Sequence, residues 1–96
     1  MNQKTVLKIV KESKKELAKL GVIKIGIFGS FAKGNFTKDS DIDILVEIEK
    51  SKKTLHNFLE IKRYLERKLQ RKIDLVTPEA LKKYIKKEIL ETVLYV

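Results

Sequence analysis

Cysteine is absent from this 96-residue chain, and histidine occurs once. The first absence excludes a disulfide framework, a thiolate nucleophile and Cys-ligated zinc. The second excludes a metal site built from clustered histidines. No apolar run approaches the roughly 18–20 residues of a membrane span. The opening MNQKTVLKIV lacks the apolar stretch and small-residue cleavage site of a signal peptide, so a cytoplasmic protein with no membrane association is expected. Gly/Ser linkers, internal repeats and low-complexity tracts are missing too, and the length allows one domain over residues 1–96.

What is present is 43% hydrophobic and 36% charged residues, the composition of a globular protein. The formal net charge is +9. That excludes an acidic solvating protein and raises nucleic acid, phosphate-bearing ligands or an acidic partner as targets. The charge is uneven. Residues 1–20 carry six Lys against two Glu, and residues 51–72 carry eight Lys/Arg against two Glu. Residues 21–50 carry four Lys against five acids. A basic protein concentrates its aspartates in one short segment.

Val6, Ile9, Val10, Leu17 and Leu20 recur at helical spacing up to Gly21. Ile23, Ile25 and Ile27 then alternate as a strand. Residues 29–34, Gly-Ser-Phe-Ala-Lys-Gly, read as a turn or short helical segment, followed by polar loop to Ser40. Ile42, Ile44, Val46 and Ile48 alternate with Asp41, Asp43, Leu45 and Glu47 in a second strand. Leu55, Phe58, Leu59, Leu65 and Leu69 mark a helix over about 53–70. Ile73 to Val76 is a third strand. Thr77-Pro78 reads as N-cap and N1 of a last helix running toward Leu90, with Leu81, Tyr84, Ile85 and Ile89 as its apolar side. Three strands and three helices predict an α+β fold, a small mixed sheet with helices packed on one face in two layers. Leu90, Val93, Leu94 and Val96 make the C-terminus apolar enough for packing or self-association, so a homo-oligomer is an expectation.

The second strand carries a feature that core formation does not explain. Side chains at i and i+2 share a strand face, so Asp41 and Asp43 stand together. Without a cation they repel, and with one they form a hard oxygen site suited to Mg²⁺. Asp74, at the polar position of the third strand, joins them if that strand lies alongside. Aspartate is disfavoured in strands, so its recurrence needs a reason. Gly29-Ser30 directly follows a strand, where backbone N–H groups and a hydroxyl can cradle phosphate oxygens.

Gly29-Ser30, ten intervening residues and then Asp-Ile-Asp-Ile resembles the signature of the DNA polymerase beta superfamily of nucleotidyltransferases. Residues 29–34 with Ser-Asp-Ile-Asp-Ile-Leu-Val at 40–46 are similar to the minimal nucleotidyltransferases, as are the strand at 72–76 and the ending at 85–96. The resemblance implies that fold and nucleoside monophosphate transfer from an NTP, with AMP from ATP the leading choice. It implies phosphate binding by Gly29 and Ser30, and two Mg²⁺ ions held by Asp41 and Asp43, with Asp74 as the third, catalytic carboxylate. Lys33 stands where the family commonly has Arg, and keeps the charge without the planar bidentate fork. Minimal members are typically encoded beside HEPN-domain toxins, which implies an antitoxin that adenylylates a tyrosine of that partner. The alternative is a non-catalytic antitoxin or nucleic-acid-binding module. Against the latter, the basic segment at 51–72 reads as a solvated helix face. Transfer to a small molecule is a third possibility, opposed by the lack of an acceptor domain. His56 reads as a surface helix residue.

Overall fold

A computed structural model describes residues 1–96. The chain runs α1 (Gln3–Lys19), β1 (Val22–Phe28), α2 (Gly29–Lys33), β2 (Ile42–Ile48), α3 (Leu55–Leu69), β3 (Ile73–Val76), α4 (Lys83–Thr92) and β4 (Leu94–Tyr95). Short 3-10 turns lie at Lys50–Lys52 and Pro78–Ala80. Polar side chains start the two long helices: Asn2 accepts from the Thr5 N–H at 2.8 Å, and Thr54 from the Asn57 N–H at 3.1 Å.

The strands form one mixed sheet in the order β3-β2-β1-β4. β1 is antiparallel to β2 and β4, whereas β3 runs parallel to β2. A parallel neighbour needs a crossover, which α3 supplies. The period of β2 decides which side is core. Ile42, Ile44, Val46 and Ile48 all point to one face, where they meet Ile25 and Ile27 of β1 and Ile73 and Leu75 of β3. Val6, Val10 and Leu17 of α1, Ile61, Leu65 and Leu69 of α3, and Phe31 of α2 cover that face. The expected two-layer α+β arrangement is the one observed.

Several details differ from the sequence reading. Ile23 does not join Ile25 and Ile27 in the core and is 70% exposed. Val22 pairs with Ile48 but Lys24 with Glu47, so Ile23 is the extra residue of a β-bulge and turns outward. Leu55, the first residue of α3, is exposed, and the helix buries itself through Ile61, Leu65 and Leu69 instead. The last helix does not start at Pro78. The Ala80 and Leu81 N–H groups bond to the Thr77 and Pro78 carbonyls, closing a 3-10 turn, and extended backbone at Leu81 and Lys82 precedes α4. That turn packs on β2 from the outer side, where Leu45 is buried. Tyr84 and Ile85, read as apolar-side residues, are exposed, and α4 has no buried residue.

The apolar C-terminus forms a fourth strand that the sequence reading did not contain. Leu94 pairs with Ile27 and Tyr95 with Gly26, and the Val96 N–H donates to the Ile25 carbonyl at 3.1 Å. Gly26 makes this possible, since a Cβ there would meet Val93 Cγ2 at 2.7 Å. The Pro78–Ala80 turn and the C-terminal segment thus cover part of the outer face. The end of the sheet that holds the aspartates stays open. No helix is long and apolar enough to cross a membrane.

Candidate active site

The sheet register assembles the site. Phe28, the last residue of β1, lies opposite Asp43 of β2, and Asp43 lies opposite Asp74 of β3. The three form a row across the sheet on the face away from the core. Gly29 follows Phe28 and starts α2 with φ +67°. A Cβ at Gly29 would collide with the Asp43 carboxylate, whose Oδ2 is nearest and whose Cγ would lie at 3.0 Å. Positive φ and close approach therefore each require glycine here. The start of α2 is pressed against the carboxylate row.

Asp43 registers the crowding. Its carboxyl is raised from the ordinary 3.8 to about 6. Burial is the largest cause, followed by the negative charge of Asp74, that of Asp41, and a hydrogen bond shared with Asp74. Asp41 sits one residue ahead of β2 and is exposed, as is Asp74. Sequence reasoning singled out Asp41, Asp43 and Asp74 together, and the structure brings Asp43 and Asp74 into direct register with Asp41 beside them. Ser30 is half-buried next to Gly29, and Lys33 ends α2 exposed, one turn further on.

The donor set tests the fit to a divalent cation. Every candidate ligand is a carboxylate oxygen, the hard donor that Mg²⁺ prefers. The repulsion among Asp43, Asp74 and Asp41 is the kind a cation relieves. No group of three acidic or imidazole side chains is drawn tight enough to enclose an ion alone. Mg²⁺ does not require that, because it keeps several waters and takes further oxygens from substrate phosphates. The residues fit the ion as an open site. The distinct cleft in the molecule, about 310 Å³ between α1 and α3 and lined by Ile9, Glu12, Ser13, Tyr64 and Lys68, lies on the helical layer, apart from this chemistry.

Sequence reasoning missed the residues that brace the site. Gln3 Nε2 donates to the Phe31 and Ala32 carbonyls at 3.0 and 2.9 Å, anchoring α2 to the start of α1. Phe31 and Phe36 stack with centroids 4.1 Å apart. Arg71 reaches across to the segment before Asp41. A polar residue at a helix start and a cation in a basic stretch carry no signal of such reach.

A mixed sheet with paired carboxylates beside a glycine that opens a short helix defines the nucleotidyltransferase class. The model of the nucleotidyltransferase domain family matches residues 5–96, and the chain belongs to that family and is a nucleotidyltransferase. It is similar to the protein adenylyltransferase MntA of Thermococcus cleftensis, 44% identical over 92% of this chain and 89% of that one. It is also similar to a solved structure assigned as a minimal nucleotidyltransferase, with TM-score 0.87 and 28% identity over 98% and 95% of the two chains. A chain from the Shewanella oneidensis complex of a tri-AMPylated HEPN toxin with an MNT antitoxin shares the fold, with TM-score 0.58 and 19% identity over 88% of this chain and 69% of that one.

Proposed function

We propose that this chain is an antitoxin that transfers AMP from ATP to a tyrosine hydroxyl of a HEPN-domain toxin. The observation that carries the reading is the contact of Gly29 with Asp43, itself in register with Asp74. It supports the reading because it brings the Gly29-Ser30 turn beside the carboxylates of Asp43 and Asp74. The similarity to a protein adenylyltransferase over nine-tenths of the chain supports AMP as the group transferred.

In this reading the Gly29-Ser30 backbone N–H groups and the Ser30 hydroxyl hold the β- and γ-phosphates, and Lys33 adds a positive charge beside them. Asp41 and Asp43 would hold two Mg²⁺ ions, with Asp74 a third ligand. Once bound, the ions supply charge neutralisation on the reacting phosphate and its leaving group. The acceptor oxygen forms a bond to the α-phosphorus while the bond to pyrophosphate breaks, and Asp74 takes the hydroxyl proton. The lysine-rich frame draws the anionic nucleotide toward carboxylates that would otherwise repel it. The acceptor surface belongs to the partner. Of the apolar C-terminal residues, Leu94 and Val96 pack against the core, whereas Leu90 stays exposed.

The competing reading is neutralisation by binding alone. Co-expression of the toxin with an Asp41→Asn/Asp43→Asn variant separates the two. Transfer predicts that the folded variant no longer restores growth, and restored growth would establish the binding-only antitoxin.

A further inference from the structure

We propose that Arg71 is a positioning residue of the transfer site, fixing where Asp41 stands relative to Asp74. Asp43 and Asp74 are held by the strand ladder. Asp41 precedes the first ladder residue, so its place depends on the segment at 35–40, which has no helix or strand of its own. That segment closes on itself: the Thr37 N–H donates to Ser40 Oγ at 2.9 Å, and the Ser40 N–H to the Thr37 carbonyl at 3.1 Å. These bonds shape a turn but attach it to nothing.

Arg71 makes the attachment. Its Nη2 donates to the carbonyls of Thr37, Lys38 and Ser40 at 3.0, 2.8 and 2.8 Å. Two hydrogens are shared among three oxygens, and the charge on the guanidinium strengthens each bond. Three carbonyl dipoles converging on one point repel each other, and the cationic guanidinium offsets that repulsion. The guanidinium carbon also lies 5.1 Å from the Phe31 ring centroid, on the aromatic pair that joins α2 to the segment. Arg71 lies in the α3–β3 connection, three residues before Asp74, and its last acceptor, Ser40, is next to Asp41. One side chain therefore couples the approach to β2 with the approach to β3. The Ile42 N–H to Lys72 carbonyl bond, 3.0 Å, continues the same seam.

The role rests on the nucleotidyl-transfer reading, and the test separates the two. Hydrogen exchange and calorimetric Mn²⁺ titration are measured on wild type, Arg71→Ala, Arg71→Lys and the exposed-helix control Arg67→Ala, with AMP transfer from ATP to a HEPN-domain toxin followed in parallel. Arg71→Ala is expected to unfold cooperatively, to exchange faster at residues 37–41 with β1 and β3 unchanged, and to bind Mn²⁺ about tenfold more weakly. Arg71→Lys, which keeps the charge but not the planar fork, falls between, and Arg67→Ala matches wild type. If Arg71→Ala proves unfolded, Arg71→Lys carries the test. Wild-type exchange and Mn²⁺ affinity in the folded Arg71 variant overturn the proposal, whatever the activity. A wild-type chain that binds Mn²⁺ but transfers no AMP overturns the transfer reading, and the proposed role with it.

Discussion

The two faces of β2 obey opposite rules. On one, Ile42, Ile44, Val46 and Ile48 are buried against α1 and α3, and each adds hydrophobic stabilisation. On the other, Asp43 is forced toward protonation by its surroundings and by two more carboxylates. Seven residues thus carry both the centre of the core and the most strained electrostatics in the molecule. The buried face holds the carboxylates together against their repulsion, and that is how a chain this short affords a preorganised acidic site. Stability and chemistry alternate over the start of this strand, from Ile42 through Asp43 to Ile44, before Leu45 is buried on the outer side as well.

Changes on either face should therefore differ in sign as well as size. Ile44→Ala, on the fully buried side, is expected to lose about 2–5 kcal/mol of stability, a large share of what a small domain possesses. Urea unfolding measures it, and a loss under 1 kcal/mol would deny that this face is the core. Gly29→Ala should cost about 1–3 kcal/mol through its positive φ and its clash with Asp43, and should abolish transfer in whatever fraction folds. Full transfer activity from this variant would mean that the start of α2 does not belong to the site.

Asp43→Asn acts in the opposite direction. A carboxyl whose folded-state value is raised from 3.8 to about 6 binds a proton more tightly in the folded chain. Its favourable contribution is complete below pH 3.8 and is lost as the pH rises through about 6. In chelator at pH 7 the Asn variant should be more stable than wild type by about 1–2 kcal/mol, a value discounted because the carboxylate is partly solvated. The difference should shrink toward pH 4. Thermal melts across that range check the sign, and a variant less stable than wild type at pH 7 would contradict the repulsion. Ile23→Lys, on the exposed bulge, should shift stability by no more than about 0.5 kcal/mol. A large loss there would mean that the bulge faces core.

Much of this contrast is legible in the sequence, because Ile42-Asp43-Ile44 and Ile73-Asp74-Leu75 each set an aspartate between two core residues, although Leu45 and Val76 interrupt the alternation further along. The contact between Gly29 and Asp43 is foreshadowed by a glycine placed directly after a strand. The bulge at Ile23 is not, since apolar alternation continues through it and only pairing with Ile48 and Glu47 reveals the slip. β4 is two residues long and exists through its bonds to β1, so no local periodicity announces it. The start of the last helix is not legible, because Thr77-Pro78 opens a 3-10 turn as readily as an α-helix. Arg71 looked like one more cation of a solvated stretch, because the three carbonyls that gather around it come from residues more than thirty positions away.

The proposed transfer of AMP places the reacting phosphate at the outer face of β2. Its most direct test is the intact mass of a HEPN-domain toxin after incubation with this chain, ATP and Mg²⁺, alongside the Asp41→Asn/Asp43→Asn variant. One or more added adenylyl groups on a tyrosine are expected with the wild-type chain and none with the variant. An unmodified partner in the presence of folded wild-type protein, or equal modification by the variant, would contradict it.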